Sequence, residues 1–180
     1  MSKINWNELR DKAYKSAREH GFHEGFESKK VALMLVITEL SEAIEADRND
    51  RHADLDKFKS YITKGGEFWR FFILFIKDSV EDELADTAIR LFDFAGLNKI
   101  DLSDRIIFSY VVSKKKSFIE NCFDIVRDIV NYKYTNEELV NYSIRQVFEL
   151  ASFYDIDLLW HINQKMKYNE LRPYKNGKKY

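Results

Sequence analysis

Four carboxylates in two evenly spaced pairs are the residues of this chain best suited to chemistry. Glu39 and Glu42 lie in VALMLVITELSEAIEADR, and Glu83 and Asp86 in VEDELADTAIRLFDFA. Residues three apart share a helix face, so the two side chains of each pair point the same way, and Glu45 extends the first row toward the surface. Both pairs sit among apolar residues. Positions 31–37 are apolar without interruption, and Leu84, Ala85, Ala88, Ile89, Leu91, Phe92 and Ala95 surround the second pair. A carboxylate buried without a partner costs several kcal/mol, and adjacent carboxylates raise one another's pKa. If the two helices pack face to face, four negative charges meet in a low dielectric, and one divalent cation, or two, resolves the repulsion. All four groups are hard oxygen donors and no His or Cys shares the pattern, which favours Mg²⁺, with Mn²⁺ as a possible substitute, over zinc or copper. Mg²⁺ commonly works with substrate phosphates, so a phosphorylated substrate is expected. The same pairs would also suit salt bridges on a solvated face.

A third cluster lies in HINQKMKYNELRPYKNGKKY. Lys165, Asn169 and Arg172 are spaced four and three apart and share one helical face. An arginine fork matches phosphate oxygens, a lysine neutralises them as a point charge, and an amide binds a phosphate or a base edge. Cations also gather at helix C-termini for purely structural reasons. Lys175, Lys178 and Lys179 read as a solvated tail.

These groups need long helices to hold them, and the composition supplies that expectation. The chain has 180 residues, 45% hydrophobic and 33% charged, with one proline and six glycines. Average usage would give about nine and thirteen. Turn formers are too few to punctuate many short strands, so an all-α fold in a single domain over 1–180 is expected. Helices are predicted over about 4–19, 29–47, 53–63, 67–95 (with a break near Asp78-Ser79), 116–131, 136–153 and 156–171. Ser28, Thr135 with Glu138, and Asp155 are the expected N-terminal caps. The run Ile106–Val112 fits a helix better than a strand. The nearly all-round apolar second helix is expected inside the bundle.

Net charge is −1, which gives no global field for a nucleic acid polymer. The lone Cys122 excludes an internal disulfide. MSKINWNELRDK lacks an apolar signal core, and no apolar run approaches the roughly 20 residues of a membrane span. A cytoplasmic protein without membrane association is expected. Glu81, Asp82 and Asp93 are expected to be solvated or paired, and His20 and His23 to be loop residues. Trp6, Phe22, His23, Trp69 and Tyr168 are candidates to line a base pocket, although each also suits the core.

Taken together, ITELSEAIEA, EDELADTAIRLFDF and KMKYNELRPYKNGKKY resemble the MazG-like, all-α nucleoside triphosphate pyrophosphohydrolases. The resemblance covers about 31–48, 81–95 and 161–180. It implies an antiparallel bundle with a four-helix core and additional helices, elaborated at about 49–78 and 97–155. It also implies Mg²⁺ held by Glu39, Glu42, Glu83 and Asp86, and a nucleoside triphosphate contacted by Lys165, Asn169 and Arg172. The reaction implied is hydrolysis of the α–β phosphoanhydride to a nucleoside monophosphate and pyrophosphate, with Glu39 or Glu42 as general base. This sequence departs from the family where Thr38 stands at the position often occupied by a first glutamate, and in the long interval between the pairs. A homo-oligomer, dimer or tetramer, is expected, with the apolar GEFWRFFILFIK (66–77) as core or interface. The competing reading is a non-catalytic helical binding or oligomerisation module. A di-iron bundle would need Glu-x-x-His motifs, which the chain lacks.

Overall fold

A computed structural model describes residues 4–24, 28–102, 112–113, 115–133 and 135–174, and among these every regular element is a helix. The helices are α1 (Trp6–Glu19), α2 (Lys29–Arg48), α3 (Leu55–Thr63), α4 (Phe68–Phe75), α5 (Val80–Leu97), α6 (Phe118–Asn131), α7 (Asn136–Phe153) and α8 (Leu158–Glu170). None is long and apolar enough to cross a membrane.

Local signals account for most of the boundaries. Ser28 and Ser79 cap α2 and α5 by accepting from the Lys30 and Asp82 backbone N–H groups, which satisfies donors the first turn leaves open. Thr135 and Glu138 form a reciprocal capping box on α7, and Ser117 with Glu120 does the same on α6. Two boundaries differ from expectation, at Asp157 and at Gly96. Asp157, not Asp155, caps α8, accepting from Trp160 N; Asp155 itself has a left-handed φ of 57° and serves the turn. The break expected near Asp78-Ser79 is present and divides the 67–95 stretch into α4 and α5, with Asp78 taking a left-handed φ of 61°. Gly96 does not end α5 but lies inside it, where α1 passes so close that an added Cβ would come within 2.4 Å of Tyr14 Cβ. The expected element at Ile106–Val112 and the Lys175, Lys178 and Lys179 tail lie outside the described residues, Val112 excepted.

Helix α5 is the hub, with α1, α2, α7 and α8 packed directly on it. Its residues Leu84, Ala85, Ala88, Leu91, Phe92 and Ala95 are fully buried. The main core joins α1, α2, α5, α6, α7 and α8. A second, smaller core forms where α3 and α4 fold over α8, around Phe58, Phe72 and Ile76. Phe72 stacks on Tyr168 of α8 with ring centres 4.5 Å apart. The segment 66–77 is therefore core on one side only, since Trp69, Ile73 and Leu74 are exposed.

Helix α2 is not enclosed on all sides as expected. Ala32, Val36, Leu40, Ala43 and Ala46 are buried at intervals of three and four, whereas Met34 is 59% exposed and Val31 is exposed beside it. Only one stripe of an apolar helix finds packing partners when its neighbours, α5 and α6, leave another stripe uncovered.

Candidate functional site

Helices α1, α2, α5 and α8, with the turns around His20–Phe22 and Lys77-Asp78, line a cleft enclosing about 150 Å³. All seven residues singled out in the sequence, Glu39, Glu42, Glu83, Asp86, Lys165, Asn169 and Arg172, lie on its walls. Helix geometry orders the acids by depth. Residues three apart differ by about 60° around the axis. Glu39 falls in the buried stripe of α2, and Glu42 stands at its exposed margin. Along α5, Glu83, Asp86, Arg90 and Asp93 repeat at three, four and three, so one charged face of this helix looks into the cleft.

Glu39, Glu83 and Asp86 each offer a carboxylate oxygen, and these three oxygens lie within 4.8 Å of one another. Glu42 stands outside this group and has no hydrogen-bond or ion-pair partner among the described residues. Two of the three are held by cations. Arg90 Nε donates to Glu39 Oε1 at 2.8 Å, and Lys165 Nζ lies 2.8 Å from Asp86 Oδ2. Glu83 is 4% exposed, yet among the described residues its carboxylate accepts no side-chain hydrogen bond and forms no ion pair. Burial first, and the neighbouring Asp86 second, push its pKa up to about 9. Burial likewise raises the Glu39 pKa, with Asp86 adding to the rise and Arg90 opposing it.

Lys165 is itself buried. Its Nζ also donates to Asp82 Oδ2 at 2.7 Å, with the two side chains 4% and 1% exposed. Burial alone would lower the ammonium pKa, but Asp86 and Asp82 outweigh it and hold Lys165 above its ordinary value. Asp82 is pushed up to about 6 by burial, with Lys165 opposing the rise. Asp82 Oδ2 also accepts from Asp78 N at 3.0 Å, while its Oδ1 has no hydrogen-bond partner among the described residues. The C-terminal row is thus divided in role. Lys165 is turned inward onto α5, and Arg172 Nη1 donates to Asn169 Oδ1 at 3.1 Å nearer the surface.

Sequence reasoning missed the partners more than the acids. Arg90 lies four residues after Asp86 and seven after Glu83, so its place on the same face was available from periodicity. Nothing in the sequence marked Asp82 as the anchor of Lys165, because the pairing joins residues 83 positions apart. The other acids expected to be paired are so. Glu81 accepts from Ala53 N and meets His52 Nδ1 at 3.0 Å, and Asp93 meets His23 Nε2 at 2.8 Å. His23 lies in a turn as expected and stacks on Tyr14. Of the candidate base-pocket residues, Phe22 lines the cleft, Trp6 is core against Phe148, Trp69 is exposed, Tyr168 stacks on Phe72 and His23 lines a small adjoining cavity.

The donor set fits a hard divalent cation. Three carboxylates from two helices converge, and one of them, Glu83, is buried, faces the cleft and, among the described residues, has no cation paired directly with it. Beyond them, Arg172, Asn169 and Lys77 offer donors suited to anionic oxygens. No family model, curated protein or solved structure matches this chain.

Proposed function

We propose that the protein is a Mg²⁺-dependent nucleoside triphosphate pyrophosphohydrolase, cleaving the α–β phosphoanhydride to release a nucleoside monophosphate and pyrophosphate. The observation that carries this reading is the convergence of Glu39, Glu83 and Asp86 around a cleft, with Glu83 buried and unpartnered among the described residues. The motif resemblance supplies the reaction class. The convergence supports the cation that such a reaction needs.

Glu39, Glu83 and Asp86 would hold the ion, whose chemistry when bound is neutralisation of phosphate oxygens and acidification of a water. Phosphoanhydride hydrolysis depends mainly on positioning and charge neutralisation. Arg172 and Asn169 would orient the phosphate chain, and Lys77 would add a positive charge. Of the two candidate bases, Glu42 is the better placed to take a proton from the attacking water, because Arg90 occupies Glu39. The enclosed volume suits the ion and phosphates, so the nucleoside would extend beyond it. A cytoplasmic location and a homo-oligomer built on exposed apolar positions such as Trp69, Ile73 and Leu74 complete the proposal.

The test is a panel of ribo- and deoxyribonucleoside triphosphates with the full-length protein and Mg²⁺, with products separated by chromatography. Monophosphate and pyrophosphate in equal amounts, lost on adding EDTA, are expected. Release of orthophosphate and diphosphate, or no turnover of any member, would refute the assigned reaction.

A further inference from the structure

We infer that Lys165 is an internal counter-ion that sets the affinity of the carboxylate site for its cation, a positioning residue acting through Asp86, and not a direct ligand of the substrate. This inference rests on reading Glu39, Glu83 and Asp86 as a cation site. Lys165 Nζ is engaged by Asp82 Oδ2 at 2.7 Å and Asp86 Oδ2 at 2.8 Å, and the ring centre of Phe72 lies 5.8 Å away. An ammonium has three donors, and two are already directed at carboxylates. The side chain is 4% exposed, so reaching an anion in the cleft would mean leaving Asp82, which is 1% exposed, without its buried cation. That separation is strongly unfavourable.

The same geometry gives Asp86 two roles. One oxygen faces Lys165, and the carboxylate as a whole belongs to the three-acid group. A carboxylate can serve both through its two oxygens. Lys165 therefore fixes Asp86 against α8 and subtracts positive charge from what the site can still attract. Asp82 moderates this effect, since it shares Lys165 with Asp86 while remaining outside the three-acid group. Removing either member of the Lys165–Asp82 pair should then move cation affinity in opposite directions. A lysine that merely touched phosphate would leave cation affinity in the absence of nucleotide unchanged.

The experiment is a titration of the full-length protein with Mn²⁺ alone, free ion being read by electron paramagnetic resonance, with no nucleotide present. Lys165→Met should tighten Mn²⁺ binding by about tenfold, and Asp82→Asn should weaken it by a similar factor, because each changes by one the charge beside Asp86. Circular dichroism identifies which variants keep the wild-type helical signal, and either one suffices. Unchanged affinity, or a shift of the opposite sign, in a folded variant overturns the role assigned to Lys165. Absence of saturable Mn²⁺ binding by the wild-type protein overturns the cation site itself, and with it this inference. Should both variants fail to fold, Lys165→Arg is measured: retained charge should keep Mn²⁺ affinity close to that of the wild type, and a large change refutes the counter-ion role.

Discussion

Replacing Glu83 with glutamine should stabilise the metal-free protein near neutral pH and abolish its stabilisation by Mg²⁺. The ordinary glutamate value is 4.5 and the folded value about 9. Between these limits the folded chain keeps a proton that the unfolded chain has released, so the stability contributed by this group falls as the pH rises. At about 1.4 kcal/mol per pH unit, the loss by pH 7 is roughly 3 kcal/mol, or about 2–3 once water in the cleft is allowed for. The amide introduced by Glu83→Gln has the same shape and no proton to lose, so the variant escapes this penalty. For a chain of this size the difference is about 5–10 °C in Tm near pH 7, shrinking toward zero near pH 5. The assay is thermal unfolding of both proteins in EDTA across this range, followed by the same series in excess Mg²⁺. Comparing the two proteins at each pH cancels the titration of other groups. An ion at one hundred times its Kd stabilises the fold by about 2.7 kcal/mol, and this response should be present in the wild type and lost in the variant. A variant less stable than wild type at neutral pH contradicts a buried, protonated Glu83, and one equally stabilised by Mg²⁺ contradicts its place in the cation site.

Three further outcomes follow from individual contacts. Glu42→Gln should lower turnover by about a hundredfold or more while Mn²⁺ affinity changes little, measured by steady-state kinetics and metal titration, because Glu42 stands outside the three-acid group. Gly96→Ala should destabilise the protein by about 2 kcal/mol in urea unfolding, since the new Cβ meets Tyr14 Cβ at 2.4 Å and helices α1 and α5 must separate. His161 is buried, its Nδ1 has no hydrogen-bond partner among the described residues, and burial pushes its pKa down from 6.5 to about 4. The unfolded chain therefore binds a proton below 6.5 that the folded chain refuses, and stability falls with acidification. Relative to wild type, His161→Leu should gain about 2 kcal/mol between pH 7 and pH 5 in denaturant titrations.

Much of this protein is local and hence legible in the sequence. Helix content follows from a chain with one proline and long apolar periodic stretches, and the caps at Ser28 and Thr135 are decided within four residues of chain. The i,i+3 acids share a helix face through helix geometry alone. Other features were illegible because they depend on what a neighbouring helix happens to cover. The apolar run 31–37 carried no sign that α5 and α6 would leave Met34 in solvent. Gly96 lies just past the end of the helix predicted over 67–95, and only the close passage of α1 shows it to be a packing residue.

Residue type and a repeat of 3.6 residues are enough to say which carboxylates and cations are available and on which helical faces they lie. How they pair follows from helix packing. That packing placed Arg90 on Glu39 and Lys165 between Asp82 and Asp86, and left Glu83 buried without a partner among the described residues. The physical reason is that a charge's partner depends on distance through space, and helix packing brings Lys165 to within hydrogen-bonding reach of a residue 83 positions earlier in the chain.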